Sequence, residues 1–294
     1  MTEIVVFGAT GLAGAEAVRS LIKMGIRPRV FTRSTKIATS LFGDAVTTIE
    51  GDFDNEASLK SALQGVESVF LSSPVNPRQV AWQGQVLKAA APSRPLVVKL
   101  AGLATTPESF VDSGRWHAET EHAIQQLELP YVFLHPNFFM QNFTRTVPPA
   151  LQSGTLAVSD ANVPIAPVDV RDIGAVAAQL LAGRVDRTGA TLTLTAAETF
   201  TYHSLADLLS ELSGRSIEVL ERSDTDTREL LLKAQMPEWH IAILLQFNQA
   251  FRDRLGCEVT TDVEDALGRP PLSLRNYLEE LTSDQPEPTV ATRK

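Results

Sequence analysis

The chain has 294 residues, a formal net charge of −9, a hydrophobic fraction of 44% and one cysteine. That length fits one large α/β domain, or a domain with a smaller lobe, and the apolar content suffices for a core without disulfide staples. The acidic balance, with no arginine-rich arm, argues against nucleic acid as a direct partner; the lone Cys257 excludes an internal disulfide, fits a reducing compartment and reads as a structural thiol.

An apolar strand is expected at residues 4–7. No charged leader or long apolar run precedes it, so the sequence predicts neither a signal peptide nor a membrane span, and a cytoplasmic location. Gly8-Ala9-Thr10-Gly11-Leu12-Ala13-Gly14 follows at once, opening a helical pattern over 12–24. The three glycines serve different physical ends. One permits a tight turn, one lets the backbone approach a pyrophosphate, and one lets helix and strand pack closely. Gly8, Thr10, Gly11, Leu12 and Gly14 therefore form a candidate dinucleotide cradle, with the pyrophosphate on the free N–H groups and positive dipole end of the helix.

The second strand is expected at 29–32. Sheets that bind NAD usually end this strand in an acid that holds the ribose hydroxyls. Here no Asp or Glu occurs from Ala17 to Gly43, whereas Arg33 follows the strand directly and Lys36 stands nearby. A guanidinium pairs with a 2′-phosphate that an acid would repel, so the sequence predicts NADP(H) in preference to NAD(H). A helix at 34–42 and a strand at 46–49 follow, then Gly51-Asp52-Phe53. Asp52 is placed either to accept from an adenine amino group, with Phe53 beside the ring, or to make an Asx turn or helix cap.

After a helix at 56–63, the strand at 68–71 ends in Ser72-Ser73-Pro74; after a helix at 79–90, the strand at 96–100 ends in Lys99-Leu100-Ala101-Gly102. Both endings lie at the carboxyl edge of the sheet, where ligands of such folds bind. A helix at 114–127 and a strand at 131–134 complete the alternation, which implies βαβ units and a parallel sheet covered on both faces. Beyond it, strands are expected near 156–158, 164–167 and 191–194, and helices at 170–181, 204–212, 227–234, 241–255 and 272–281. The predicted fold is α/β: a Rossmann-type doubly wound parallel sheet over 1–135, to which later segments return, and a smaller, mainly helical C-terminal lobe over 136–282. The polar tail at 283–294 is expected to be disordered.

A Tyr-x-x-x-Lys pair, which would supply acid–base chemistry to an alcohol dehydrogenase, is absent: His135, Ala206 and Leu281 stand four residues after Tyr131, Tyr202 and Tyr277. Hydride transfer needs no such pair when the acceptor stabilises its own charge, as quinones, azo groups and iminium ions do. Lys99 and His117 are the candidate proton donors. Lys99 is equally a cofactor-positioning cation at the sheet edge. His117 shares a helix face with Glu121 and is equally a packing histidine. The scattered histidines predict no metal site. Trp82, Phe138, Phe139 and Met140 are candidates for an apolar substrate wall or for ordinary core.

The ordered motifs Gly8-Ala9-Thr10-Gly11, Gly51-Asp52, Val98-Lys99-Leu100, Trp116-His117, Leu129-Pro130-Tyr131, Pro136-Asn137-Phe138-Phe139-Met140-Gln141-Asn142 and Asp169-Val170-Arg171-Asp172-Ile173 resemble the NmrA-like group of atypical short-chain dehydrogenases. The resemblance runs to about Leu281. It implies that the first turn holds the diphosphate and Arg33 the 2′-phosphate. It also implies that Ser72, Ser73 and Pro74 line the ribose, that Lys99 lies near the nicotinamide ribose, and that Asn137 and Phe138 lie near the nicotinamide ring. Two departures stand out: His135 where relatives often have arginine before the proline, and Ala101 where the fifth strand usually ends in serine. The expected function is an NAD(P)H-dependent reductase of an electron-poor conjugated small molecule. The alternatives are a non-catalytic NADP(H) sensor acting through a protein partner, and a pathway enzyme using the scaffold for cyclisation, isomerisation or imine reduction. A homodimer is compatible with the sequence.

Overall fold

The computed structural model describes residues 3–283; the tail expected at 283–294 lies, beyond Ser283, outside them. In chain order the elements are β1 (Ile4–Val6), α1 (Leu12–Lys23), β2 (Arg29–Thr32), α2 (Thr35–Phe42), β3 (Thr47–Glu50), α3 (Glu56–Leu63), β4 (Ser68–Leu71), α4 (Gln79–Ala90), β5 (Leu96–Leu100), α5 (Asp112–Gln126) and β6 (Tyr131–Pro136). Then come β7 (Phe138–Phe139), a 3-10 turn (Met140–Arg145), α6 (Val147–Ser153), β8 (Thr155–Val158), β9 (Pro167–Val168), α7 (Val170–Leu181) and β10 (Thr191–Leu194). The remainder is α8 (Tyr202–Ser213), β11 (Glu218–Glu221), α9 (Asp224–Lys233), α10 (Glu238–Arg252), α11 (Asp262–Leu267) and α12 (Leu274–Ser283).

The main sheet is 7-stranded, in the order β10-β6-β5-β4-β1-β2-β3, and every pairing in it is parallel. The order reverses between β1 and β4, the switch point beside which ligands of doubly wound sheets bind. Helices cover both faces. On one side α1 packs with α7 and α11 around Val18, Leu21, Ile173, Val176 and Val263. On the other, Leu59, Val86, Leu87 and Ile124 of α3, α4 and α5 close over Val5, Phe7 and Val69.

The contact between α1 and α7 is close because both helices are small-faced. A Cβ on Gly174 would run into the backbone of Glu16 and Ala17, so glycine is what lets the helix axes approach. A helix and a strand from the chain's second half, α7 and β10, are thus integral to the sheet layer. The C-terminal region otherwise has its own core, in which Phe143, Leu156, Phe200, Leu205, Leu209 and Leu278 meet. It is mainly helical, with two small parallel ladders, β11-β8 and β7-β9. No helix among the described residues is long and apolar enough to cross a membrane.

Candidate active site

A cleft of about 960 Å³ opens along the carboxyl edge of the sheet, astride the switch point. Its volume lies at the upper end of the ~300–1,000 Å³ usual for small-molecule and cofactor sites. At its floor is the glycine turn. Gly8 has φ +70°, a conformation L side chains rarely adopt, and a Cβ there would meet the Ser72 carbonyl oxygen at 2.9 Å. A Cβ on Gly14 would run into the Gly8 carbonyl oxygen. No side chain caps α1 and its first turn holds no acid. The first helical N–H with a carbonyl partner is that of Ala15, which donates to Gly11. The N–H groups of Leu12, Ala13 and Gly14 are therefore left for a ligand. The turn fits a diphosphate by this geometry.

Thr10, Arg33, Asp52, Phe53, Ser72, Ser73 and Pro74 all line the same cleft, with Gly8, Gly11, Leu12 and Gly14. Arg33 is exposed and joins no salt bridge among the described residues. Its loop is pinned on either side: Thr32 Oγ1 accepts from Ser34 N at 3.1 Å, and Ser34 caps α2. Lys36 is exposed but does not line the cleft; Ile37, 51% exposed, does. Helical geometry turns successive positions about 100° apart, so the two cannot share a direction. Asp52 adopts the Asx turn, its Oδ1 accepting from Asp54 N at 2.9 Å. Phe53 stacks on Trp82, centroids 6.0 Å apart, and Arg78 lies over Trp82 while pairing with Asp54 at 2.8 Å. Phe31, Arg78 and Trp82 thereby join Asp52 and Phe53 along the cleft; the sequence had singled out Trp82 only as a wall candidate.

The far end is built from side chains. Lys99 is fully buried on β5; its Nζ donates to Leu100 O at 3.2 Å and lies 3.0 Å from His117 Nδ1. His117, on α5, lines the cleft together with Leu100, Ala101 and Phe139. Gln79 Nε2 lies 3.2 Å from the same Nδ1, and Gln83 Nε2 donates to Ser73 Oγ at 2.8 Å. Both glutamines are buried, and their Oε1 oxygens have no partner. Burial lowers the Lys99 ammonium to about 8, with the Glu121 carboxylate opposing the shift. Burial, then the charges of Lys99 and His135, hold His117 well below the ordinary histidine range. Glu121 itself bonds His135 Nε2 at 2.9 Å. Two glutamines four apart on a buried helix face were the signal for Gln79 and Gln83; only the fold shows that this face meets β5 and α5.

Two expected residues point elsewhere. Asn137 is buried, with Nδ2 donating to Gly256 O at 2.9 Å and Oδ1 accepting from Phe138 N at 2.8 Å. Phe138 packs on Phe143, Phe200 and Phe251. Neither lines the cleft; Phe139 does, because consecutive strand residues face opposite ways. Met140 is core.

Comparison with known proteins agrees with the family read from the motifs. The NmrA-like family model matches residues 1–96. An NAD(P)H azoreductase of Xenophilus azovorans is 28% identical over 236 residues, 80% of this chain and 82% of that protein. Quinone oxidoreductase 2 of Escherichia coli is 27% identical over 80% of this chain and 83% of its own; its crystal structure with NADPH superposes with a TM-score of 0.87, at 23% identity, over 95% and 99% of the two chains. The triphenylmethane reductase of Citrobacter sp. in complex with NADP(H) gives a TM-score of 0.84 at 23% identity, over 96% and 100%. The glycine turn, Arg33, Asp52 and the Ser72-Ser73-Pro74 ending all fall within the stretch that the NmrA-like model matches.

Proposed function

We propose that this chain is a reductase that uses NADPH to transfer hydride to an electron-poor, conjugated small molecule such as a quinone, an azo compound or an iminium ion. The observation that carries the reading is the single cleft joining a backbone diphosphate cradle, an exposed arginine after β2 and the Lys99–His117 pair. Support comes also from the similarity to proteins named as an NAD(P)H azoreductase and a quinone oxidoreductase.

In this reading the amides of Leu12, Ala13 and Gly14 hold the diphosphate, and Arg33 meets the 2′-phosphate, which sets NADP(H) above NAD(H). Phe53 and Asp52 border the adenine; Ser72, Ser73 and Pro74 border the ribose. The bound dihydronicotinamide would supply the hydride. Leu100, Ala101 and Phe139 exclude water from the reacting end, and His117 presents a polar group to the acceptor. With no Tyr-x-x-x-Lys pair, rate comes from positioning and a dry wall rather than from alkoxide chemistry.

Calorimetric titration with NADPH, NADP⁺, NADH and NAD⁺, followed by NADPH oxidation with a quinone and an azo dye, tests the reading. Tight NADPH binding with oxidation by either acceptor is expected. Ala101 gives the cleft a methyl where the family resemblance implies a serine hydroxyl, which suits a sensor without turnover. Equal binding of both redox forms with no oxidation would favour that second reading, with a protein partner as its output.

A further inference from the structure

We propose that Lys99 and His117 form a proton relay opening on the cleft, oriented by Gln79, and that it selects neutral acceptors that must gain a proton over cationic acceptors that need none. The proposal rests on the reductase reading for turnover, and on side-chain geometry for the relay.

His117 Nδ1 lies 3.0 Å from Lys99 Nζ and 3.2 Å from Gln79 Nε2. An ammonium only donates, so Nδ1 accepts from Lys99 Nζ, and the Gln79 amide approaches the same lone pair. A neutral imidazole then carries its hydrogen on Nε2, which makes no hydrogen bond among the described residues, on a side chain that lines the cleft. The surrounding groups keep the ring in that form. Lys99 faces it from β5 and Gln79 from α4. His135 adds charge from β6, and Glu121 on α5 is bound to His135 at 2.9 Å rather than to His117. Desolvation with Lys99 and His135 disfavours imidazolium, while Lys99, lowered to about 8, remains an ammonium at neutral pH with a proton to give.

Reducing a quinone or an azo double bond by two electrons takes one hydride and one proton. The hydride comes from the reduced dinucleotide. The proton passes from His117 Nε2 to the acceptor's oxygen or nitrogen as that atom gains negative charge; Nδ1 takes a proton from Lys99 Nζ, and solvent returns one to Lys99. The sum is NADPH, acceptor and one proton giving NADP⁺ and reduced acceptor. A carbenium or iminium cation is neutralised by hydride alone, so the relay gives it no help, and the buried ammonium repels it.

The test has two arms. In cofactor-free protein at pH 7, ¹⁵N NMR of His117 is expected to show a protonated Nε2 and a bare Nδ1, with Gln79→Leu giving a mixture of tautomers. A protonated Nδ1, or imidazolium, in the wild type would overturn the relay whatever the enzyme reduces. In the kinetic arm, Lys99→Met is expected to cut kcat/KM for menadione by about 100-fold, and for the cation malachite green by less than 10-fold. Gln79→Leu should lower menadione reduction by a few-fold at unchanged NADPH affinity. Equal losses on the two acceptors in Lys99→Met would overturn the selectivity. Absence of turnover with either acceptor, beside the expected tautomer, would remove the reductase reading and the relay with it.

Discussion

At the glycine-turn end of the cleft the free groups are backbone amides, those of Leu12, Ala13 and Gly14, held by a turn in which neither Gly8 nor Gly14 leaves room for a Cβ. At the far end the cleft meets a side chain, His117, backed at 3.0 and 3.2 Å by Lys99 from a strand and Gln79 from a second helix, both buried behind it. A backbone site tolerates almost any sequence around its glycines and recognises a charge common to all dinucleotides. A side-chain site depends on every contributor, and can therefore differ from one relative to the next.

Variants at the two ends should separate the roles. The largest effect is expected from Gly14→Val, whose side chain meets the Gly8 carbonyl: dinucleotide binding should be lost by calorimetry, with a stability loss of about 3 kcal/mol from overpacking. Retained NADPH affinity would show that the turn is structural only. Next is Lys99→Met. Lys99 has a native value of about 8 against 10.5 unfolded, so the unfolded chain binds more protons between those values and stability rises with pH across that window. Below pH 8 the full penalty applies. The variant is expected to gain roughly 3 kcal/mol in urea unfolding at pH 7, less the lost donors to His117 and Leu100, and to show none of that rise up to pH 10. A destabilised Lys99→Met would mean that the far end is held together by its lysine. Arg33→Ala should weaken NADPH by about 10- to 100-fold, the ~1.5–3 kcal/mol of a charged hydrogen-bond pair, and leave NADH nearly unchanged; equal weakening of both would remove the 2′-phosphate assignment. Arg78→Ala is the smallest, since its ion pair with Asp54 is exposed on both sides: a melting shift worth under about 1 kcal/mol is expected, and a larger loss would make the adenine wall a structural strap.

The same contrast explains what could be read in advance. The β4, β5, α3 and α4 spans were legible to the residue, because apolar runs and helical periods alternate cleanly there. No helix was expected at 147–153, yet Pro148 and Pro149 stand in the first turn of α6, where a missing N–H costs nothing. β11 went unseen because Glu218–Glu221 is a short, mostly exposed edge strand flanked by acids. In the cleft, Gly8, Gly11, Gly14 and Arg33 were visible by spacing along one segment. Gln79 was not, because its side-chain partner, His117, is 38 positions away. Asn137 and Phe138 were expected at the cleft from family likeness, and the strand pleat turns the cleft side to Phe139 instead.

The close seat of Gly174 on α1 sets an order of events during synthesis. Residues 8–23 carry the glycine turn and its helix, but the helix's outer face stays bare until α7 has been made, about 150 residues later along the chain. A nascent chain that has only just left the ribosome's exit tunnel with its first βαβ units therefore leaves uncovered the α1 backbone at Glu16 and Ala17 on which Gly174 will sit. The cradle gains its backing only when the second half arrives, so occupancy of the cofactor site would report that translation has run past α7.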